Sequence, residues 1–221
     1  MFKLKHDWIF KDRAHAGKEL ARLLAPKYKN LNPIVFGVPR GGVEVAYYVA
    51  KELQVELSVI VAKKLGFPEN PEYGFGALAE ENCLYVSDRG AELLEAKLIE
   101  QIIKVQSKEI ARRVRLYRQG KPLPDLADRT VIIVDDGIAT GVTLVPVVRL
   151  CRQRKARKII LASPVSGRLY DPALDEADAF EILVQPENFH AVGQVYYSFD
   201  DFTDDQLLAL MKKATNERAR K

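Results

Sequence analysis

Short runs of apolar residues alternate along this chain with segments in which apolar side chains recur every three or four positions. The runs PIVFGV (33–38), LSVIVA (57–62), TVIIVDD (130–136), KIILASPV (158–165) and FEILVQ (180–185) read as strands. Periodic segments at about 13–25, 43–53, 142–155 and 204–216 read as helices. Their alternation predicts an α/β fold with a parallel, doubly wound, Rossmann-like sheet carrying helices on both faces. Sheets of this kind bind ligands at the carboxyl ends of their strands.

One segment departs from the alternation. Residues about 89–118 place Leu94, Leu98, Ile102, Val105 and Ile110 at helical spacing until GKPLPD stops the pattern, which predicts one long helix inserted between strands. Its dense charge reads as a solvated face, with a mobile lid or a dimer contact as alternatives. The chain is expected to form a single domain over residues 1–221, since 48% apolar residues suffice for a continuous core. A net charge of +4 suits a small anionic ligand and is too diffuse for a nucleic-acid surface. The cationic run RLCRQRKARK (149–158) reads as a solvated helix end. Cys83 and Cys151 have neither metal-ligand nor disulfide spacing and are expected as reduced core residues. The first ten residues lack a secretory pattern and no uncharged run approaches the ~20 residues needed to span a bilayer, so a cytoplasmic protein is expected.

The chemistry concentrates in VIIVDDGIATGVT, residues 131–143. Burying an unpaired carboxylate costs several kcal/mol, so Asp135 and Asp136 should lie at the exposed end of the strand that precedes them. The Gly137–Gly141 turn then leads into a helix starting near Thr143, whose unpaired backbone N–H groups, with the Thr140 and Thr143 hydroxyls, suit a phosphate. Carboxylates accept hydrogen bonds strongly from vicinal sugar hydroxyls. Together these features describe a site for ribose 5-phosphate. The plainer reading, helix caps beside a turn, accounts for one Asp and leaves the Thr-containing glycine loop without a purpose.

This stretch resembles the phosphoribosyl pyrophosphate (PRPP) signature of type I phosphoribosyltransferases. The resemblance implies that Asp135 and Asp136 bind the ribose hydroxyls, reaching Mg2+ only indirectly through PRPP and water. It assigns the 5-phosphate to Gly137, Ala139, Thr140, Gly141, Val142 and Thr143. A second stretch, VFGVPRGGVEVA (35–46), resembles the pyrophosphate loop of the same family, with Val38, Pro39, Arg40, Gly41 and Gly42 at the matching positions. Glycines there allow close backbone approach to a ligand, and Arg40 offers a planar donor fork to phosphate oxygens. A third, KKLGFPENPE followed by GALAE, is similar to a subgroup of the family in which Arg-Lys is the usual pair, Lys63 standing here for the Arg. Lys63 and Lys64 close an apolar strand and are expected to add positive charge where pyrophosphate leaves. The opening FKDRAHAGKELARLLA resembles the same subgroup, so the likeness covers most of the chain.

The resemblance implies a type I fold with a small hood, contributed by about 185–203, over the acceptor. Phe189, Tyr196 and Tyr197 are candidates to stack on a planar acceptor or to pack the hood onto the core. His6, His15 and His190 form no nucleophile-base or metal pattern, and a segment within 64–90 is a candidate loop to close over the site. GFGALA (74–79) formally fits a dinucleotide fingerprint but lacks the strand-turn-helix setting that fingerprint requires. The expected activity is PRPP-dependent glycosyl (pentosyl) transfer to a nitrogen acceptor, a nucleobase or a related compound as in nucleotide salvage. Arg40, Lys64, Asp135 and Asp136 are its catalytic candidates. A homodimer is expected by analogy; membrane and nucleic-acid partners are not. The competing readings are a non-catalytic PRPP or nucleotide sensor, and a hydrolase acting on another ribosyl phosphate.

Overall fold

The computed structural model describes residues 9–219. In chain order the elements are α1 (Arg13–Tyr28), β1 (Ile34–Gly37), α2 (Gly41–Leu53), β2 (Glu56–Val59), β3 (Ala62–Phe67), β4 (Asn70–Ala79), β5 (Leu84–Val86), α3 (Asp88–Leu93), α4 (Ala96–Arg118), β6 (Thr130–Val134), α5 (Val145–Gln153), β7 (Lys158–Val165), β8 (Ala179–Val184) and α6 (Asp204–Ala219). Five strands form an all-parallel sheet in the order β2-β1-β6-β7-β8. This is the doubly wound α/β sheet that the pattern predicts.

Side-chain alternation in register divides the core into two layers. Val35, Ile132, Val134, Ile160 and Ala162 face α1 and α2, where Leu20, Leu24, Val45, Val49 and Leu53 cover them. Ile34, Phe36, Val131, Ile133, Ile159 and Leu161 face the other way, onto Val145, Val148, Leu150 and Cys151 of α5 and onto Leu123 and Leu126. Strands sealed on both faces explain why their sequences are continuously apolar. Both cysteines are buried and free, as expected.

The structure corrects several boundaries. The run 57–62 is two strands, because the chain leaves the main sheet after Val59 and re-enters extended structure at Ala62 in a separate antiparallel sheet, β3-β4-β5. Lys63 and Lys64 therefore lie in β3 rather than at the end of a central strand. The candidate closing loop within 64–90 is mostly this second sheet, and GFGALA is part of β4. The long helix is interrupted: Leu94 and Glu95 are both extended, separating α3 from α4. Neither Gly nor Pro marks that break. Gly90 packs directly against Phe75, which docks α3 on β4, and the bend lets Leu94, Ile99, Ile102 and Ile103 share one apolar cluster. Val105, counted in the sequence stripe, is exposed. Finally, α5 begins at Val145 and not near Thr143, because Gly141 to Leu144 form a turn closed by Leu144 N–H donating to Gly141 O at 2.8 Å.

A buried ion pair fastens the second sheet to the first. Glu80, at the end of β4, accepts from both terminal nitrogens of Arg118, the nearer to Oε1 lying at 2.6 Å, and from the Val61 amide at 2.8 Å. Arg118 Nη1 also donates to Val59 O at 2.8 Å. Both side chains are nearly sealed from solvent, at 7% and 6% exposure. Losing one partner of such a pair leaves a buried charge without compensation. Glu80→Ala is expected to lower unfolding free energy by about 3–5 kcal/mol in urea titration, whereas Glu80→Leu combined with Arg118→Met loses less.

Candidate PRPP site at the carboxyl edge of the sheet

β6 is central, and its last four residues are fully buried, so the chain emerges from the core at Asp135. Val38 N–H donates to Val134 O at 3.0 Å, bringing the end of β1 beside the end of β6. The two glycines after Arg40 then fold against the acidic pair. A Cβ at Gly41 would overlap the Asp136 carboxylate and the Arg13 guanidinium, and one at Gly42 would stand 2.8 Å from Asp135 Oδ1. These positions require glycine because a carboxylate occupies the space where a side chain would be. The Pro39–Arg40 peptide is cis, and Arg40 is the residue before the first turn of α2.

The loop after the acidic pair runs along the end of β7. Ile138 N–H donates to Val165 O, Gly167 N–H to Ile138 O and Asp171 N–H to Thr140 O, at 2.9, 2.9 and 2.8 Å. Gly141 has φ of +72°, a conformation that side-chain-bearing residues rarely adopt. Ala139 and Thr140 are exposed at the loop crest, Thr143 is half-buried, and Val142 turns inward at 6% exposure. Gly74 of β4 lies against both the Lys64 stem and Val142, so the second sheet touches the phosphate-loop candidate directly.

Electrostatics at this edge are opposed in sign. Burial, and then the neighbouring Asp136 carboxylate, push the Asp135 carboxyl well above the usual carboxylate range, although the Asp136 amide donates to Asp135 Oδ1 at 2.9 Å. Arg13 Nε donates to Asp136 Oδ2 at 2.7 Å. Glu44, in the first turn of α2, is likewise raised by burial. On the facing sheet the Lys63 amine is lowered by burial and by the cations Arg113, Arg40 and Lys64, with Glu109 opposing. Arg113 is held by Glu109 Oε1 at 2.7 Å.

The structure thus brings Pro39 to Gly42, Lys63, Lys64, Asp135, Asp136 and the 137–143 loop to one edge. The hood candidates divide. Tyr196 is 2% exposed, stacked on Phe199 with centroids 4.8 Å apart, packed against Phe10 at 5.6 Å, and its hydroxyl donates to Asp136 O at 2.7 Å. Its faces are occupied, which corrects its assignment as an acceptor-stacking ring. Tyr197 is 65% exposed. Phe189 lies beside Gly167, whose near neighbours also include the Ala139 carbonyl, and is half-buried against the cluster of Phe10, Val165 and Tyr196. His190 is exposed, His15 is an exposed side chain near Phe10, and His6 lies outside the described residues. Arg149, Arg152 and Arg154 of the cationic run pair with Glu176, Asp178 and Glu81.

Sequence reasoning missed Arg13, Glu44, Arg113 and Phe199. Arg13 sits in the opening stretch FKDRAHAGKELARLLA without any local feature to set it apart. Arg113 lies in a helix whose charges all look alike from sequence.

An acid whose pKa is higher folded than unfolded destabilises the fold as pH rises, because the folded state holds its proton more tightly. Asp135→Asn keeps the acceptor for the Asp136 amide and removes that penalty. Calorimetry is expected to show the variant melting on the order of 2–4 °C higher than wild type at pH 8, with the gap closing toward pH 5.

Comparison with known proteins shows the family to which the chain belongs. The family model described as phosphoribosyl transferase domain matches residues 9–200. Two curated relatives from strains of Mycobacterium tuberculosis, both provisionally named phosphoribosyl transferases, are 38% identical over 215 residues, covering 96% of this chain and 48% of theirs. The chain therefore spans about half the length of the curated relatives it matches. The crystal structure of TT1426 from Thermus thermophilus superposes with a TM-score of 0.77 at 34% identity, covering 92% of this chain and 98% of that one. A hypothetical protein from Neisseria gonorrhoeae, solved with bound ppGpp, shares the fold at a TM-score of 0.50 and 10% identity, over 92% and 97% of the two chains. With its family model spanning all but the two ends and these relatives matching along nearly its full length, the chain belongs to the phosphoribosyl transferase domain family.

Proposed function

We propose that this protein transfers the ribose 5-phosphate of PRPP to a nitrogen acceptor, a nucleobase or a related compound, with release of pyrophosphate. The observation that carries the reading is the close packing of the 38–42 turn on Asp135 and Asp136, beside a glycine loop and opposite a cationic strand. A ligand spanning that edge meets acceptors for hydroxyls in the middle and donors for phosphate on either side.

In the reaction the bond from ribose C1 to pyrophosphate oxygen breaks and a bond from C1 to the acceptor nitrogen forms. Positive charge develops on the sugar and negative charge on the leaving group. No side chain has to form a covalent bond, and catalysis rests on positioning and electrostatics. Asp135 and Asp136 hold the sugar through its 2- and 3-hydroxyls. The backbone amides and hydroxyls of 137–143 hold the 5-phosphate. Arg40, the Gly41 and Gly42 amides, and Lys63 or Lys64 receive the departing pyrophosphate, with Arg113 adding to the same positive region. Phe189, which shares Gly167 as a neighbour with Ala139, is the candidate ring for the acceptor.

Magnesium fits this site as part of the substrate. Among the described residues no group of three His, Cys, Asp or Glu side chains could hold a cation alone, whereas two adjacent carboxylates supply hard oxygens able to reach an ion through water and ligand oxygens. Held through PRPP beside Asp135 and Asp136, the ion would supply neutralisation of negative charge on the leaving group. No helix among the described residues is long and apolar enough to cross a membrane. A cytoplasmic location is part of the same proposal.

The test is pyrophosphate release from PRPP and Mg2+ across purine and pyrimidine bases, with a no-acceptor control. Wild type is expected to release pyrophosphate only with an acceptor, and Asp136→Asn is expected to lower kcat/KM by about 10²–10³. Arg13 loses its ionic partner in that variant, so circular dichroism must accompany the assay. A folded variant with wild-type turnover would overturn the site. Release without any acceptor would favour a hydrolase, and PRPP binding with no turnover would favour a sensor.

A further inference from the structure

Asp136 is gripped on two sides by residues that the reading above does not use. Its carboxylate Oδ2 accepts from Arg13 Nε at 2.7 Å, and its carbonyl accepts from the Tyr196 hydroxyl at 2.7 Å. The Arg13 guanidinium lies over Phe199, with Cζ 3.8 Å from the ring centroid, and Phe199 stacks in turn on Tyr196. Arg13 Nη1 donates to Asp200 O at 2.7 Å. The contacts close a circuit: Asp136, Arg13, Phe199, Tyr196 and back to Asp136. Arg13 is 9% exposed, and Gly41 presses on the same Oδ2 that the arginine holds.

We infer that Arg13 is a positioning residue for sugar recognition: it fixes one oxygen and the plane of the Asp136 carboxylate, so that Oδ1 is presented to a ribose hydroxyl. This rests on the PRPP reading proposed above. A planar guanidinium is suited to the task because Nε and Nη1 point in set directions and the flat face is held by an aromatic ring, neither of which an ammonium reproduces. A carboxylate pinned in advance does not spend rotamer entropy when the ligand arrives. The arrangement also connects the two ends of the described chain to the site, since Arg13 opens α1 while Tyr196, Phe199 and Asp200 precede α6.

Calorimetric titration of the full chain with PRPP plus Mg2+, and separately with inorganic pyrophosphate plus Mg2+, tests the assignment. Arg13→Gln is expected to weaken PRPP binding about 10- to 100-fold, the usual loss when a residue orienting a ligating group is removed, while pyrophosphate binding stays within about twofold. Arg13→Lys should recover only part of the loss, and Phe199→Leu should weaken PRPP binding about threefold or more. A purely structural Arg13 would lower thermal stability and both affinities together, which overturns the assignment, as does wild-type PRPP affinity in folded Arg13→Gln. If Arg13→Gln does not fold, Phe199→Leu decides by the same contrast between the two ligands. Wild-type protein that binds pyrophosphate but not PRPP overturns the PRPP reading itself and this inference with it.

Discussion

Two carboxyl groups on consecutive residues stand at the end of a strand whose preceding four residues are fully buried. Water that would screen them in solution is displaced by the 38–42 turn and by the 192–200 segment. Repulsion at short range in a poorly hydrated place cannot be left unmanaged. The structure treats the two acids differently. Asp136 receives an arginine, a tyrosine hydroxyl on its carbonyl, and a glycine pressed against its carboxylate. Asp135 receives the Asp136 amide, and burial, then the neighbouring Asp136 charge, lowers its acidity. Chain segments remote in sequence converge here because each supplies part of that solution: Arg13 from α1, Gly41 and Gly42 from α2, Tyr196 from the C-terminal third.

The second sheet meets this edge through a different kind of contact. It is joined to the main sheet by Glu80 and Arg118, which also satisfy the Val61 amide and the Val59 carbonyl where the chain passes between sheets. That junction sets where β3 lies, and hence where Lys63 and Lys64 stand relative to the 137–143 loop. α4 ends at Arg118, so the same junction also places Arg113, little more than one turn earlier, near Lys63. A charged helix that looks uniformly solvated in sequence thus carries one anchoring arginine and one that contributes to the positive region.

The central strands and the main turns were legible because their determinants are local. Continuous apolar runs report burial on both faces, and DDGIATG or PRGG report backbone demands that only glycines meet at those points. What could not be read depends on contacts between distant residues. Nothing in LSVIVAKK announces that the chain changes sheets after Val59, since LSVIVA reads as one apolar run across the switch and the switch is made by Glu80, about twenty positions on. The break at Leu94 lacks a helix breaker because it is set by α3 docking on Phe75. Tyr196 read as a candidate stacking ring, yet its partners, Phe10 and Phe199, come from opposite directions along the chain. Arg13 is the clearest case: an arginine in a first helical turn acquires its role only when a strand about 120 residues later delivers an aspartate to it.

Charge at the site carries one further implication about its ligand. Asp135 beside Asp136, and Lys63 beside Arg40, Lys64 and Arg113, bring like charges close together, offset in part by Arg13 on the acidic side and Glu109 on the basic side. Each becomes favourable with a ligand of complementary character, hydrogen-bond donors facing the acids and negative oxygens facing the cations. A simple anion would satisfy the cations and worsen matters for the acids. A neutral sugar would do the reverse. On the PRPP reading proposed above, a molecule with hydroxyls set between phosphate groups would relieve both, which is why that reading favours such a ligand over phosphate or ribose alone.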